Sequence, residues 1–234
     1  MYIAALGASV GAQAGDDAEA LYQDRENPAS ARQATDIWAA RLTANPRDFA
    51  SAWKLAQGRY WLGTNGLPEP QRKAALESGI EAGRAAIALE PKRPEGHFWL
   101  AANMGALAES FGLRQGIRYR GQIRDALEMT LKLDPAFLQG SADRALGRWY
   151  FKVPGLFGGS NRKSEEHLRK ALTYNPQSVI SHIFLADTLA DMGRKDEARK
   201  EYQAAIDAPF HPDWIPEDKR FKEQAKRFLQ QLSR

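Results

Sequence analysis

A chain of 234 residues, 43% hydrophobic and 26% charged, carries enough apolar side chain for one large domain or a repeat array and is too apolar to be disordered. Its formal net charge of +4 is mild and does not by itself indicate nucleic acid. The absence of cysteine excludes disulfides, thiolate zinc sites, a cysteine nucleophile and lipid attachment through cysteine, and no apolar run is long enough to span a bilayer.

The first stretch, "MYIAALGASVGAQAGDD", places Ala12-Gln13-Ala14 before Gly15-Asp16, the small-residue pattern of a signal-peptidase site. Residues 1–14 are therefore expected to be the remnant of a signal peptide on an exported, periplasmic protein, and residues 15–234 a single domain. No Lys or Arg precedes Arg25, so a cytoplasmic protein with an Ala-rich terminus stays open. "GASVG" has the spacing of a nucleophile elbow, but no strand precedes it and that reading is rejected.

From there the chain repeats a phrase. "LTANPRD", "ALEPKRP", "LKLDPAF" and "LTYNPQS" each end an amphipathic stretch with a proline, at Pro46, Pro91, Pro135 and Pro176. Proline lacks the amide hydrogen and clashes with the preceding turn, so each is expected to stop a helix. Stops at roughly 35–45-residue intervals suggest a helical-hairpin repeat. In chain order, Leu21 and Tyr22 with Ala34 and Trp38 make a first unit, and Leu55 and Ala56 with Ala86 a second. Leu100, Ala101 and Met104 open a third; the second and third carry insertions after their first helices. Leu146, Gly147 and Tyr150 with Leu168 and Ala171 make a fourth, lengthened by "VPGLFGGSNRK". That loop lacks the spacing of a phosphate loop and follows no strand.

The fifth unit is the cleanest. Leu185, Ala186 and Leu189 line a first helix, Gly193 breaks it, and Ala198, Tyr202 and Ala205 line a second. These spacings resemble the tetratricopeptide repeat position by position. A closing helix follows, with Pro216 at its first position and Phe221, Ala225, Phe228 and Leu232 as its apolar stripe, suited to cap an open solenoid end. The expected fold is an all-α, right-handed solenoid of about five hairpins with a C-terminal capping helix.

His97 and His182 fall at equivalent repeat positions and are expected to pack in the seam. No metal-binding spacing or catalytic triad pattern appears, so no catalytic residue, metal or cofactor is assigned. The basic stretch "LRQGIRYRGQIR", with Arg114, Arg118, Arg120 and Arg124, has Tyr119 as its one aromatic residue, and a solvated face is favoured over nucleic-acid binding. Repeat register instead projects Trp53, Gln57, Tyr60, Trp61, Phe98, Arg144, Arg148, Phe151, Lys152 and Asp187 onto the concave surface, with Leu156 and Phe157 of the loop closing its rim. Aromatics beside cations suit an amphipathic anion, because a guanidinium fork pairs bidentately with a carboxylate. Arg144 and Arg148, four residues apart on one helix, are expected to hold that anion between them unless acidic residues of neighbouring repeats meet them first.

The stretch "GSADRALGRWYFKVPGLFGGSNRKSEEHLRKAL" resembles the T components of TRAP transporters, periplasmic helical-repeat proteins in which a similar helix runs into a Pro- and Gly-Gly-containing loop. The same C-terminal half is similar, more distantly, to the regulators of microtubule dynamics, through "ALGRWYF" and the closing helix. The first resemblance implies a periplasmic transporter accessory. T components are typically lipoproteins, and this chain lacks the cysteine that would carry the lipid. The expected role is a non-enzymatic binding or adaptor protein for a protein, peptide or organic anion. A cytosolic scaffold reading peptides, a nucleic-acid binder and self-association through the solenoid ends remain as alternatives.

Overall fold

The computed structural model describes residues 10–232, without the side chains of residues 10–16, 113, 114 and 232. The residues before Val10, with most of the expected signal segment, lie outside it, and residues 12–14 fall at the start of the first helix. Among the described residues the chain is all-helical. Five hairpins pair α1 (Val10–Gln23) with α2 (Pro28–Ala44), α3 (Phe49–Trp61) with α4 (Glu69–Leu89), α5 (Pro94–Ser110) with α6 (Leu113–Leu133), α7 (Ser141–Lys152) with α8 (Asn161–Tyr174), and α9 (Val179–Asp191) with α10 (Lys195–Asp207). A last helix, α11 (Ile215–Leu232), follows. Each helix packs on the next, while α3 also meets α5, α5 meets α7, α7 meets α9 and α9 meets α11. Odd-numbered helices therefore form one layer of the solenoid and even-numbered helices the other.

The four prolines act as the sequence predicts. In each case the helix ends two residues earlier, at Ala44, Leu89, Leu133 and Tyr174. The intervening Asn45, Glu90, Asp134 and Asn175 leave the helical region, with φ between −153 and −133°. The ring of a following proline disfavours helical φ/ψ at that position. Each of these four residues still donates its N–H to the carbonyl four residues back. New helices start on side-chain caps: Asp48 accepts from Ser51 N–H at 3.0 Å, Ser160 from Lys163 N–H at 3.3 Å and Ser178 from Ser181 N–H at 3.3 Å.

The repeat signature is the core. Ala34, Trp38, Ala56, Leu146, Leu168, Leu185, Ala186, Ala198 and Ala205 are all fully or almost fully buried. Small residues set the helix spacing. A Cβ on Gly83 of α4 would lie 2.9 Å from the Leu100 Cα of α5, so only glycine lets these two backbones approach so closely. Beside it, buried Asn103 donates from Nδ2 to the carbonyls of Ala56 and Trp99, at 2.9 and 2.8 Å, tying α3 to α5.

Two expectations take a definite form. The insertions of the second and third units are helical. They form a π-helical turn at Leu62–Gly66 and lengthen the outer helices, so that α4 and α6 each run 21 residues. The capping helix also does more than cover an end. Ala225 is buried, and Phe221 and Phe228 pack against the last hairpins. The opposite, N-terminal portion of α11 reaches back to the first hairpin, 192 positions away in sequence, where Glu217 grips Arg25.

Candidate functional site

That return closes the solenoid on itself. Arg25 follows α1 and is buried in an aromatic cage, its guanidinium 5.1 Å from the Tyr22 ring centroid, 5.3 Å from Trp61 and 5.9 Å from Trp214. It donates to both Glu217 carboxylate oxygens, at 3.1 and 2.8 Å, and to the carbonyls of Tyr22 and Asp213. Trp61 Nε1–H donates in turn to the Arg25 carbonyl at 2.9 Å. Lys219 pairs with Glu26 at 2.9 Å, and Arg220 bonds Asn65 of the π turn. Farther along, His211 Nε2 meets Gln139 Nε2 at 2.9 Å, and the His211 N–H donates to Asp218 at 2.9 Å.

Between the inner helices and this returning segment lies a groove of about 1050 Å³. Tyr60 and Trp61 of α3, Phe98 and Trp99 of α5, Arg144, Arg148 and Lys152 of α7 and Phe184 of α9 form one wall. Trp214, Glu217, Asp218 and Phe221 form the facing one. An aromatic cluster backs the first wall: the Tyr60 and Trp99 rings lie 5.7 Å apart, Phe98 and Trp99 5.0 Å, and Phe98 and Phe137 5.6 Å. Burial pushes the Tyr60 hydroxyl pKa above its usual value and does the same to the Asp218 carboxyl.

The two arginines expected to act together have different surroundings. Arg148 is saturated: Glu109 accepts from its Nε and Nη2, both at 3.1 Å, and Asp187 accepts from Nη1 at 3.0 Å. Its guanidinium also lies 4.5 Å from the Phe184 centroid. Asp187 is engaged further by the Tyr202 hydroxyl at 2.6 Å. An anion held between the two guanidiniums is thus corrected, because acids from neighbouring repeats already satisfy Arg148. Arg144 has no such partner. It is half-buried, its guanidinium makes no hydrogen bond or ion pair among the described residues, and it faces the groove. Burial drives its guanidinium pKa down to about 10, against a smaller upward pull from Tyr60 and Asp218.

The other expected residues divide. Tyr60, Trp61, Phe98, Lys152 and Phe157 line the groove, whereas Trp53, Gln57, Phe151, Asp187 and Leu156 stand outside its lining. Trp53 packs against the core with Lys54 Nζ 5.5 Å from its ring centroid, and Phe151 lies 5.7 Å from the Arg148 guanidinium. Leu156 is 90% exposed and covers nothing, which corrects its placement on the rim. The groove residues of the returning segment went unread in the sequence. Glu217 and Asp218 stand near a helix start in the sequence, and nothing local points Glu217 toward Arg25.

His97 and His182 share a contact as well as a position: each ring Nε2 lies 2.9 Å from the carbonyl of the proline six residues earlier. The arginines of α6 are dispersed. Arg124 pairs with Asp125 at 2.8 Å, Arg120 stacks on Phe157, Arg118 on Tyr119, and the Arg114 side chain lies outside the described residues.

A family model, regulator of microtubule dynamics protein 1-3, matches residues 16–157, the first three hairpins and α7 with the start of its loop. The chain belongs to that family. The family match therefore lies on the N-terminal side, not on the C-terminal half where the sequence resemblance was placed, although it includes "ALGRWYF". No curated protein matches the chain significantly. Among solved structures, the thermophilic TPR protein TTC0263 of Thermus thermophilus is similar, with 21% identity, a TM-score of 0.68, and coverage of 92% of this chain and 98% of that one. Pseudomonas aeruginosa pilF follows at 16% identity and TM-score 0.57, covering 94% and 93%. MamA stands at 17% identity and TM-score 0.53, covering 84% and 92%. Such identities establish the fold: this family member is a helical repeat protein of the tetratricopeptide type. They lend no support to a TRAP-transporter role.

Proposed function

We propose that this chain is a non-enzymatic adaptor whose groove receives the carboxylate-bearing, apolar-backed end of a partner. The observation that carries the reading is Arg144, a half-buried guanidinium facing a largely apolar groove without a hydrogen bond or ion pair among the described residues. A guanidinium whose pKa is near 10 is still charged at neutral pH, and leaving it partly desolvated without a counter-ion costs free energy. A partner's carboxylate would recover that cost by accepting two N–H bonds from the fork, while Tyr60, Phe98 and Trp99 cover the adjoining apolar part. The returning segment limits the space, which favours a terminus, a side chain or a small organic acid over a long extended peptide lying through the solenoid.

Calorimetry with 4-phenylbutyrate and with an acidic peptide carrying phenylalanine tests this on wild type and Arg144→Gln. Binding by wild type that weakens at least about tenfold in the variant, the loss of one charge-assisted pair, is the expected result. An Arg148→Gln variant should weaken binding less, because its acids already occupy Arg148. Equal affinity for wild type and Arg144→Gln, or no binding of either probe, would refute the assignment.

A further inference from the structure

The loop joining α7 to α8 leaves a large apolar side chain in water. Leu156 is 90% exposed, and Phe157 and nearby Ile117 of α6 are 40% and 44% exposed. This is a built loop. Phe157 N–H donates to the Pro154 carbonyl at 2.8 Å, Gly158 N–H to Gly155 at 3.0 Å, Gly159 N–H to Pro154 at 3.2 Å and Ser160 N–H to Tyr150 at 2.9 Å. Gly155–Phe157 form a 3-10 turn, and the Arg120 guanidinium sits 5.3 Å from the Phe157 ring centroid. The fold thus holds Leu156 at a projecting tip instead of letting it collapse onto the body.

Charge around the tip has one sign. Neither residues 113–124 nor residues 150–163 contain an Asp or Glu. Arg120, Lys152 and Lys163 stack on the rings of Phe157, Phe151 and Tyr150, and none of the three forms an ion pair among the described residues. Their charged heads lie over these rings, a contact that leaves each cation without an acidic counter-ion. Arg118, over Tyr119, sits instead beside Glu77 and Glu81 of α4.

We propose that this loop, with Ile117, is a contact surface for an anionic lipid bilayer, with Leu156 entering the interfacial zone and Arg120, Lys152 and Lys163 meeting lipid headgroups. The charge complementarity is direct: basic side chains beside a small apolar tip are attracted to an anionic leaflet, and the apolar tip then adds burial. A narrow tip suits a fluid interface better than a protein partner, because a stable protein interface covers roughly 800 Å² on each side.

Vesicle flotation of the full chain tests it, using phosphatidylcholine vesicles with and without about 30% phosphatidylserine, a composition that sets the surface potential. Wild type should bind the anionic vesicles, bind the neutral ones far less, and lose binding as salt rises. Leu156→Asp should lower the partition coefficient at least about tenfold, the consequence of losing one buried leucine and adding a repelled charge. Because Leu156 is exposed, that variant should keep its helical circular dichroism and melting temperature. Lys152→Glu with Lys163→Glu should also lower partitioning, whereas Lys195→Glu on α10 should not. No binding of wild type to anionic vesicles, equal binding to neutral ones, or full binding by Leu156→Asp would each overturn the proposal. A protein partner captured by the loop with no vesicle binding would do the same.

Discussion

The closure of the solenoid rests on Arg25 and Glu217, and removing the carboxylate should show it. Glu217→Ala leaves a guanidinium that is 2% exposed with only the Tyr22 and Asp213 carbonyls, inside a cage of three aromatic rings. Breaking a buried pair by deleting one partner costs about 3–5 kcal/mol, because the remaining charge is uncompensated. The lower end applies here, since Glu217 is 16% exposed and the two carbonyls still accept from Arg25. A loss of about 3 kcal/mol corresponds to roughly 6–12 °C in melting temperature for a chain of this length. Hydrogen exchange should place the opening first in residues 209–221, which lose their anchor, before the hairpins respond. The double variant Arg25→Met with Glu217→Ala should recover about half of the loss or more, because a flexible apolar side chain can fill the cage without a charge to solvate. Urea unfolding of the wild type, both single variants and the double variant gives the coupling directly. A Glu217→Ala loss below about 0.5 kcal/mol, within the range of ordinary surface changes, would refute the reasoning. So would a double variant no more stable than the sum of the two singles.

Leu185→Ala should cost about 2–5 kcal/mol by emptying a fully buried seam position between α9 and its neighbours, read by urea denaturation; a cost near zero would contradict the repeat register. Gly159→Ala should displace the α7–α8 loop, because a Cβ there would lie 1.6 Å from the Val153 carbonyl oxygen. Faster exchange of the Ser160 amide, with the helices unaffected, is the expected signature. For His182, burial disfavours the charged ring, but hydrogen bonds to Glu201 at 2.6 Å and to the Pro176 carbonyl outweigh it and raise the pKa. A raised folded value means this stabilisation is complete below about pH 6.5, the unfolded value, and is lost as pH climbs through the folded one. Melting temperatures of wild type and His182→Gln should therefore converge as pH rises, and a constant difference would contradict the linkage.

Local chemistry carried most of the fold into the sequence. A proline disfavours helix in the residue before it whatever surrounds them, so Pro46, Pro91, Pro135 and Pro176 marked four helix ends without any knowledge of packing. The Leu-Ala and Ala-Tyr-Ala spacings likewise fixed which faces meet, because side chains three and four residues apart share one side of a helix. The lengths of α4 and α6 were harder to read. Extra polar residues after an inner helix can form a loop or extend the next helix, and the periodicity of either is weak.

The groove divides along the same line. Register placed Tyr60, Phe98, Arg144 and Arg148 on inner helices, since a face follows from spacing within one helix. Register carries no information about which acid from another hairpin arrives beside a given arginine. Glu109 and Asp187 each lie 39 positions from Arg148, and their arrival satisfied that residue while Arg144 was left unpaired. The returning segment is the extreme case: Glu217 meets Arg25 across 192 positions because the accumulated curvature of five hairpins brings the start of α11 back to the first hairpin. The sequence therefore determined the helices, their faces and the repeat. The closure of the solenoid, and the arrival of acids at Arg148 but not at Arg144, were decided only by how those helices add up in space.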